Sequence, residues 1–143
     1  MNNIELAKTS LNENNYSLVL AKENRVVHTS LKKGLQPLID LYHNQKQVLE
    51  GSYIADKVIG KAAALILIES NINELYAELM SDNAIEILDK SNIRYEYKTR
   101  VKEIRNRGNT DMCPMEKLSL DSNSADELIR KIEENFNKWP LKS

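Results

Sequence analysis

Hydrophobic positions near the start of the chain follow first a helical and then a strand pattern. Ile4, Ala7 and Leu11 recur at helical spacing before a run of asparagines, which predicts a short first helix. Residues 16–21 (YSLVLA) and 25–30 (RVVHTS) are strand-like runs separated by a short polar connection, as in a β-hairpin. Because residues 16–21 are apolar on both faces, we expect them to form the inner strand of the pair.

Two helices are predicted in the middle of the chain. The first follows Gly34 and carries one apolar stripe, made of Leu35, Leu38, Ile39 and Tyr42. The second spans residues 52–71 (SYIADKVIGKAAALILIESN), with a polar start at residues 52–57 and apolar residues on nearly every side thereafter. Residues 62–68 should therefore form the core of the central, most buried helix. Gly60 inside this helix costs about 1 kcal/mol relative to alanine, so helix packing or a ligand should require a close backbone approach there.

The second half of the chain alternates strand and helix. Residues 73–80 and 93–101 are predicted strands, and the helix between them is capped by Ser81 or Asp82. This order implies a parallel crossover within one sheet. A closing helix at about residues 124–138 begins with the capping-box pair Ser124 and Glu127. The pattern predicts an α/β fold in a single domain, residues 1–143, with its core at about residues 16–120.

Composition limits the classes of partner. The chain has 143 residues, 41% hydrophobic and 29% charged, which suits one compact domain. Its 20 Lys and Arg against 21 Asp and Glu give a net charge of -1, so no overall field favours nucleic acid or an anionic membrane. The longest apolar run, residues 62–68, is far short of the roughly 20 residues that cross a bilayer. We expect neither a nucleic-acid nor a membrane partner, while formation of a homo-oligomer stays open.

The cysteine and histidine content argues against a disulfide and a zinc site. Cys113 is the only cysteine, and with His28 and His43 it cannot complete a zinc quartet of cysteines and histidines. The first residues also lack the basic and apolar segments of a signal peptide. We therefore expect a cytoplasmic protein with no metal and no cofactor, and no stoichiometric zinc after purification.

A candidate site follows from the predicted parallel strands. Ligands collect beyond the carboxyl ends of such strands, where helices begin. The predicted helix at residues 52–71 places Asp56 and Lys57 at this rim, either as acid, base or ligand holder or, with equal weight, as a solvated pair. Ser81 follows its strand directly and is predicted to bind ligand there. Lys61, one turn after Lys57, either continues the cationic edge or covers apolar neighbours.

The loop and helix start that follow the last predicted strand reach the same rim. In the sequence RNRGN, Asn106 and Arg107 either aim an amide and a guanidinium group at one anion or form a plain surface turn. Pro114 suits the first helical position and Glu116 follows three residues after Cys113, so Cys113 is expected at a helix cap. Its thiol either contacts ligand or reacts, or is inert and partly buried. Glu116 completes the predicted ligand-binding set.

Five segments together carry a family resemblance: GLQPLIDL, ADKVIGKAAALIL, MSDNAIEIL, IRNR and CPMEKL. Over about residues 17–120 their order and spacing resemble a family of small prokaryotic proteins known as a domain of unknown function. The resemblance implies a cytidine deaminase-like fold, a three-layer α/β sandwich whose mixed sheet opens with a β-hairpin and carries helices on both faces. Zinc deaminases have H-x-E and P-C-x-x-C at two helix starts, whereas the corresponding segments here read ADK and SDNA. The resemblance therefore implies a pocket that works without zinc.

Two functions from different classes fit this sequence. In the first, the protein binds a small anionic or nucleotide-like ligand at the rim pocket, as an enzyme or as a binding protein, with Asp56, Lys57 and Cys113 as catalytic candidates. In the second, the same scaffold is a noncatalytic module for protein interaction or self-association. A deep pocket lined by charged side chains would favour the first, and an exposed apolar patch of several hundred Å² the second.

Overall fold

A computed structural model describes residues 2–106 and 108–135 of the chain, which form a sheet covered by helices. The strands are β1 (Leu18–Lys22), β2 (Arg25–Ser30), β3 (Tyr53–Ile59), β4 (Glu74–Ser81) and β5 (Arg94–Val101). The helices are α1 (Asn3–Asn14), α2 (Gln36–Asn44), α3 (Lys46–Leu49), α4 (Lys61–Glu69), α5 (Asp82–Asp89), α6 (Pro114–Leu120) and α7 (Ala125–Asn135). None of the helices in the described part of the chain is long and apolar enough to cross a membrane.

The five strands form one mixed sheet in the order β2-β1-β3-β4-β5. Strand β1 pairs antiparallel with both β2 and β3, so the predicted hairpin and its inner strand are confirmed. Strands β3, β4 and β5 run parallel to one another, which confirms the predicted crossover from β4 to β5. The carboxyl ends of three strands therefore lie along one edge of the sheet.

Helices cover both faces of this sheet, which confirms the α/β class and fits a three-layer sandwich. Helix α1 packs Ile4, Ala7 and Leu11 onto one face, against a small apolar cluster that includes Val19 and Ala55. The other face carries the larger cluster, to which α2, α4, α5 and α7 all contribute buried residues. Helix α4 contributes six buried residues to it, Ala62 to Leu67, as predicted for the central helix, whereas Ile68, the last residue of the predicted segment 62–68, is only partly buried.

The predicted long helix at residues 52–71 is wrong in its first half, because residues 53–59 form strand β3. The burial of this segment follows a strand: Ile54 packs in the large cluster on one face, and Ala55 packs in the α1 cluster on the other. Asp56 and Lys57 therefore lie on a strand and not in a helical first turn. Gly60 is likewise the N-cap of α4 and not an interior helical residue.

Capping residues set the starts of the later helices. Ser81 ends β4 and caps α5, since its Oγ accepts a hydrogen bond from Ala84 N at 3.1 Å, as predicted. Ser124 Oγ accepts from Glu127 N at 3.1 Å and starts α7. The predicted closing helix is thus confirmed as far as Asn135, and its last predicted residues, 136–138, lie outside the described residues.

Candidate functional site

A pocket of about 350 Å³ opens on the α4 side of the sheet, near the carboxyl end of β3. Apolar side chains from several segments make most of its wall, among them Leu18, Leu35, Leu38, Ala62, Ile104 and Met115. The ionisable residues that line it are Lys32, Lys33, Asp56, Lys57, Cys113 and Glu116. The volume is in the range of small-molecule sites, and charged groups on apolar walls are typical of them.

Asp56 lies on β3 between Leu18 of β1 and Ala77 of β4, and it faces the pocket on the same side of the strand as Ile54. Its Oδ1 accepts a hydrogen bond from Val58 N at 3.1 Å. Protein surrounds the carboxyl group, and part of the residue's surface stays open to the pocket. Burial raises the pKa of Asp56 to about 7, and the backbone amides of Val58 and Lys57 oppose that rise. A carboxyl group with this pKa can give or take a proton near neutral pH.

Lys57 contributes to the pocket wall, but its ammonium group is engaged elsewhere. Nζ donates to Asn15 Oδ1 at 2.7 Å, at the carboxyl end of α1. Side chains of neighbouring residues in a strand point to opposite faces, so the Lys57 ammonium group lies on the α1 side of the sheet while Asp56 faces α4. Both residues line the pocket, but their charged groups lie on opposite faces of the strand.

The side chain of Glu116 caps the N-terminus of α4. It is 4% exposed, and its two carboxyl oxygens accept from Lys61 N at 2.8 Å and Ala62 N at 2.9 Å. Burial raises the pKa of Glu116, while the amides of Ala62 and Lys61 and the Lys61 charge oppose the rise. A β-carbon at Gly60 would overlap this carboxyl group, so the close approach expected at Gly60 is to a protein side chain. The first two amides of α4 are therefore not available to a ligand.

Cys113 lies at the predicted helix start and lines the pocket. Its backbone N donates to Ile104 O at 2.9 Å, next to a short antiparallel bridge between Arg105 and Met112. Cys113 is the N-cap of α6, but its side chain makes no capping hydrogen bond, and Glu116 caps α4 instead of returning to Cys113. The half-buried thiol thus shares the pocket wall with Asp56 without a capping role.

Three other predicted site residues lie away from the pocket wall, each with a structural contact. Ser81 is fully buried as the cap of α5. Lys61 Nζ donates to Leu120 O at 3.2 Å, at the end of α6. Asn106 Oδ1 accepts from Thr110 N at 3.0 Å within its own turn. The fourth, Arg107, lies outside the described residues.

Sequence reasoning missed the segment between β2 and α2. Lys32, Lys33 and Gly34 line the pocket and are exposed, so they stand at its mouth. The segment is held to β1 by Ser17, whose Oγ lies 2.6 Å from Lys32 O and 2.9 Å from Ser30 O. Adjacent lysines before a glycine were the available signal, but exposed lysines are common in loops and their pattern alone does not mark a site.

Replacing Asp56 with asparagine should make the protein more stable at alkaline pH. The pKa of Asp56 is about 7 in the folded protein and about 3.9 in the unfolded chain. The contribution of this carboxyl group to the free energy of unfolding is therefore fully present below about pH 4 and is lost as the pH rises through about 7. The difference corresponds to at most roughly 4 kcal/mol. Because Asp56 keeps some solvent contact, we expect an effect on the order of 2 kcal/mol.

The measurement is guanidinium unfolding at about pH 4 and about pH 8. Asp56→Asn should gain stability over the parent chain at the higher pH alone, since asparagine keeps an acceptor for Val58 N. The exposed Asp121 gives the matched control, Asp121→Asn, for which the two pH values should show no such difference. An Asp56→Asn variant less stable than the parent at pH 8 would mean that the carboxylate is stabilised in the fold.

No group of three or more His, Cys, Asp or Glu residues that could hold a metal ion occurs within residues 2–106 and 108–135. The candidate chemistry of the pocket therefore consists of the Asp56 carboxyl group, the Cys113 thiol and the lysines at its mouth.

Comparisons with known proteins agree with this architecture. The family model described as "Domain of unknown function (DUF1893)" matches residues 6–136. A crystal structure of a DUF1893 family protein (TM1506) from Thermotoga maritima is similar to the chain with a TM-score of 0.84 and 27% sequence identity. The alignment covers 94% of this chain and 90% of that one. A search of curated proteins found no match.

Proposed function

The chain belongs to the DUF1893 family, and we propose that it binds a small anionic or nucleotide-like ligand in the pocket lined by Asp56 and Cys113. The observation that carries this proposal is the pocket of about 350 Å³ itself, in which one carboxyl group and one thiol face apolar walls beside exposed lysines. Such walls suit the body of a ligand, and a few convergent polar groups suit its recognition.

The anionic part of the ligand is held by lysines at the pocket mouth. Helix starts often bind anions, but Glu116 already occupies the first amides of α4 and Ser81 caps α5. Lys32 and Lys33 are exposed at the mouth, and the hydrogen bonds and salt bridges of the described residues leave both ammonium groups without a protein partner. Both lysines are therefore candidates for contact with a phosphate or carboxylate, and we take Lys33 as the first to replace.

The proposal includes a deaminase-like scaffold that works without zinc. The opening hairpin followed by parallel strands supports this scaffold, beside the sequence resemblance. The helix after β3 begins at Gly60, Lys61 and Ala62, and the one after β4 begins at Ser81, so neither start offers histidine or cysteine. If the protein is an enzyme, Asp56 is the proton donor or acceptor, Cys113 the nucleophile, and Lys57 a positioning residue on β3.

Occupation of the pocket should slow the alkylation of Cys113. Native protein treated with iodoacetamide should be labelled at Cys113, and a mixture of ribonucleoside monophosphates should reduce the labelling rate. At a concentration ten times the dissociation constant, mass action predicts about a tenfold reduction. Native mass spectrometry of the purified protein provides an independent search for retained ligand.

Two lysine variants make this test specific. Lys33→Ala should weaken the protection, whereas Lys98→Ala, an exposed lysine of edge strand β5, should leave it unchanged. Labelling that occurs only after unfolding, or that nucleotides never slow, counts against ligand binding at this pocket. Self-association in sedimentation experiments together with such a result would favour the alternative, a noncatalytic interaction module.

A further inference from the structure

Asp56 has one carboxyl oxygen committed to the protein and one that is not. Oδ1 accepts from Val58 N at 3.1 Å, and the hydrogen bonds of the described residues include none to Oδ2. The residue lines the pocket and keeps part of its surface open to it. A carboxyl oxygen without a protein donor that opens onto a pocket can accept a hydrogen bond from a donor that enters with the ligand.

The charged groups that line the pocket differ in exposure. Asp56 is half-buried on strand β3, and the other lining carboxylate, Glu116, accepts from the α4 amides. Lys32 and Lys33 stand at the exposed mouth, and the Lys57 ammonium group is turned to Asn15. Most of the other lining residues are apolar. A ligand that matches this distribution has a donor at one end and an anion at the other.

We propose that Asp56 orients the ligand by accepting hydrogen bonds from an amidine-like or ring N–H group, so that this end enters first and the anionic end stays at the lysines. This inference rests on the proposed function and adds the ligand's polarity to it. The ligand class is a planar, apolar body with N–H donors at one end and a phosphate or carboxylate at the other. Asp56 is then the residue that determines specificity.

Three matched probes test the polarity, namely benzamidine, benzoate and 4-amidinobenzoate. They share one ring and differ in having a donor end, an anionic end or both. Measured by titration calorimetry at about pH 8, 4-amidinobenzoate should bind best and benzoate worst. Asp56→Asn should weaken both amidines by about tenfold or more, because hydrogen bonds to a charged group are the stronger kind. Lys33→Ala should weaken 4-amidinobenzoate and leave benzamidine unchanged.

The pH dependence supplies a second readout. Lowering the pH from about 8 to about 6 should weaken benzamidine in the parent chain, because a proton on Asp56 removes the negative charge that the amidinium group pairs with. The same change should have no effect on benzamidine binding to Asp56→Asn. The groups that face Asp56 around the pocket are Cys113 and Glu116 from α6 and its start, and the lysines of the mouth.

The outcomes separate this inference from the proposed function. If benzoate binds as well as benzamidine, or if Asp56→Asn binds the amidines as the parent does, the polarity assignment is overturned. If none of the probes binds while mononucleotides still protect Cys113, the inference fails and the proposed function stands. If mononucleotides also give no protection, both fail.

Discussion

Replacing Glu116 with alanine should lower the free energy of unfolding by about 4 kcal/mol. The carboxylate is 4% exposed and accepts from two backbone amides of α4, at 2.8 and 2.9 Å. Hydrogen bonds to a charged group contribute roughly 1.5 to 3 kcal/mol each, and the orphaned amides at the start of α4 would lose their partners in a buried site. Guanidinium unfolding of the two chains measures the difference.

The exposed Glu86 of α5 provides the control, because Glu86→Ala removes the same side chain from a helix surface and should change stability by at most about 0.5 kcal/mol. Glu116→Gln keeps the volume and one accepting oxygen, so it should lose about half as much as Glu116→Ala. An alanine variant as stable as the parent would show that the α4 cap is not formed in solution.

Replacing Gly60 with alanine should cost about 3 kcal/mol, even though the backbone there suits any residue. Gly60 has φ of -106° and ψ of -171°, an extended conformation in which alanine is unstrained. The added β-carbon would instead overlap the carboxyl group of Glu116, and overpacking of a filled site typically costs 1 to 3 kcal/mol. The expected loss therefore comes from one contact.

A double-mutant cycle tests that origin. In Glu116→Ala the space next to Gly60 is empty, so adding Gly60→Ala should cost at most about 0.5 kcal/mol, and the two effects should be strongly non-additive. Gly108→Ala is the matched control, since its β-carbon would meet only ordinary contacts near Thr110. Additive effects of Gly60→Ala and Glu116→Ala would mean that the glycine is required for some other reason.

The elements with local signals were predicted from the sequence, and strand β3 was not. The hairpin, α4, α5 and the start of α6 each carry a periodicity or cap that lies within a few residues. Strand β3 adjoins the apolar α4 with only Gly60 between them, so no turn segment separates the strand from the helix within residues 52–71. Gly60 marks the boundary between β3 and α4. An isolated glycine is also tolerated inside a helix, so its presence did not reveal that boundary in the sequence.

The candidate site was predictable only in part, for a similar reason. Asp56, Lys57, Cys113 and Glu116 line one pocket, and the sequence placed them together because they follow or end neighbouring elements at one sheet edge. The helix assumed for Asp56 was wrong, but β3 is parallel to β4 and brings it to the same region. The sequence could not predict that Glu116 binds the amides of Lys61 and Ala62, because these residues are remote from it in sequence. Every helix start offers unpaired amides of this kind.

The Glu116 contact also bears on the order in which the chain folds. Its carboxylate comes 54 and 55 residues after the amides that it binds, and β4, α5 and β5 are made in between. Contacts between distant segments form late, because loop closure costs entropy before the contact contributes. Before Glu116 has been synthesised, the first two amides of α4, the most apolar helix, therefore lack their hydrogen-bond acceptor. During that interval on the ribosome the exposed apolar surface of α4 favours aggregation.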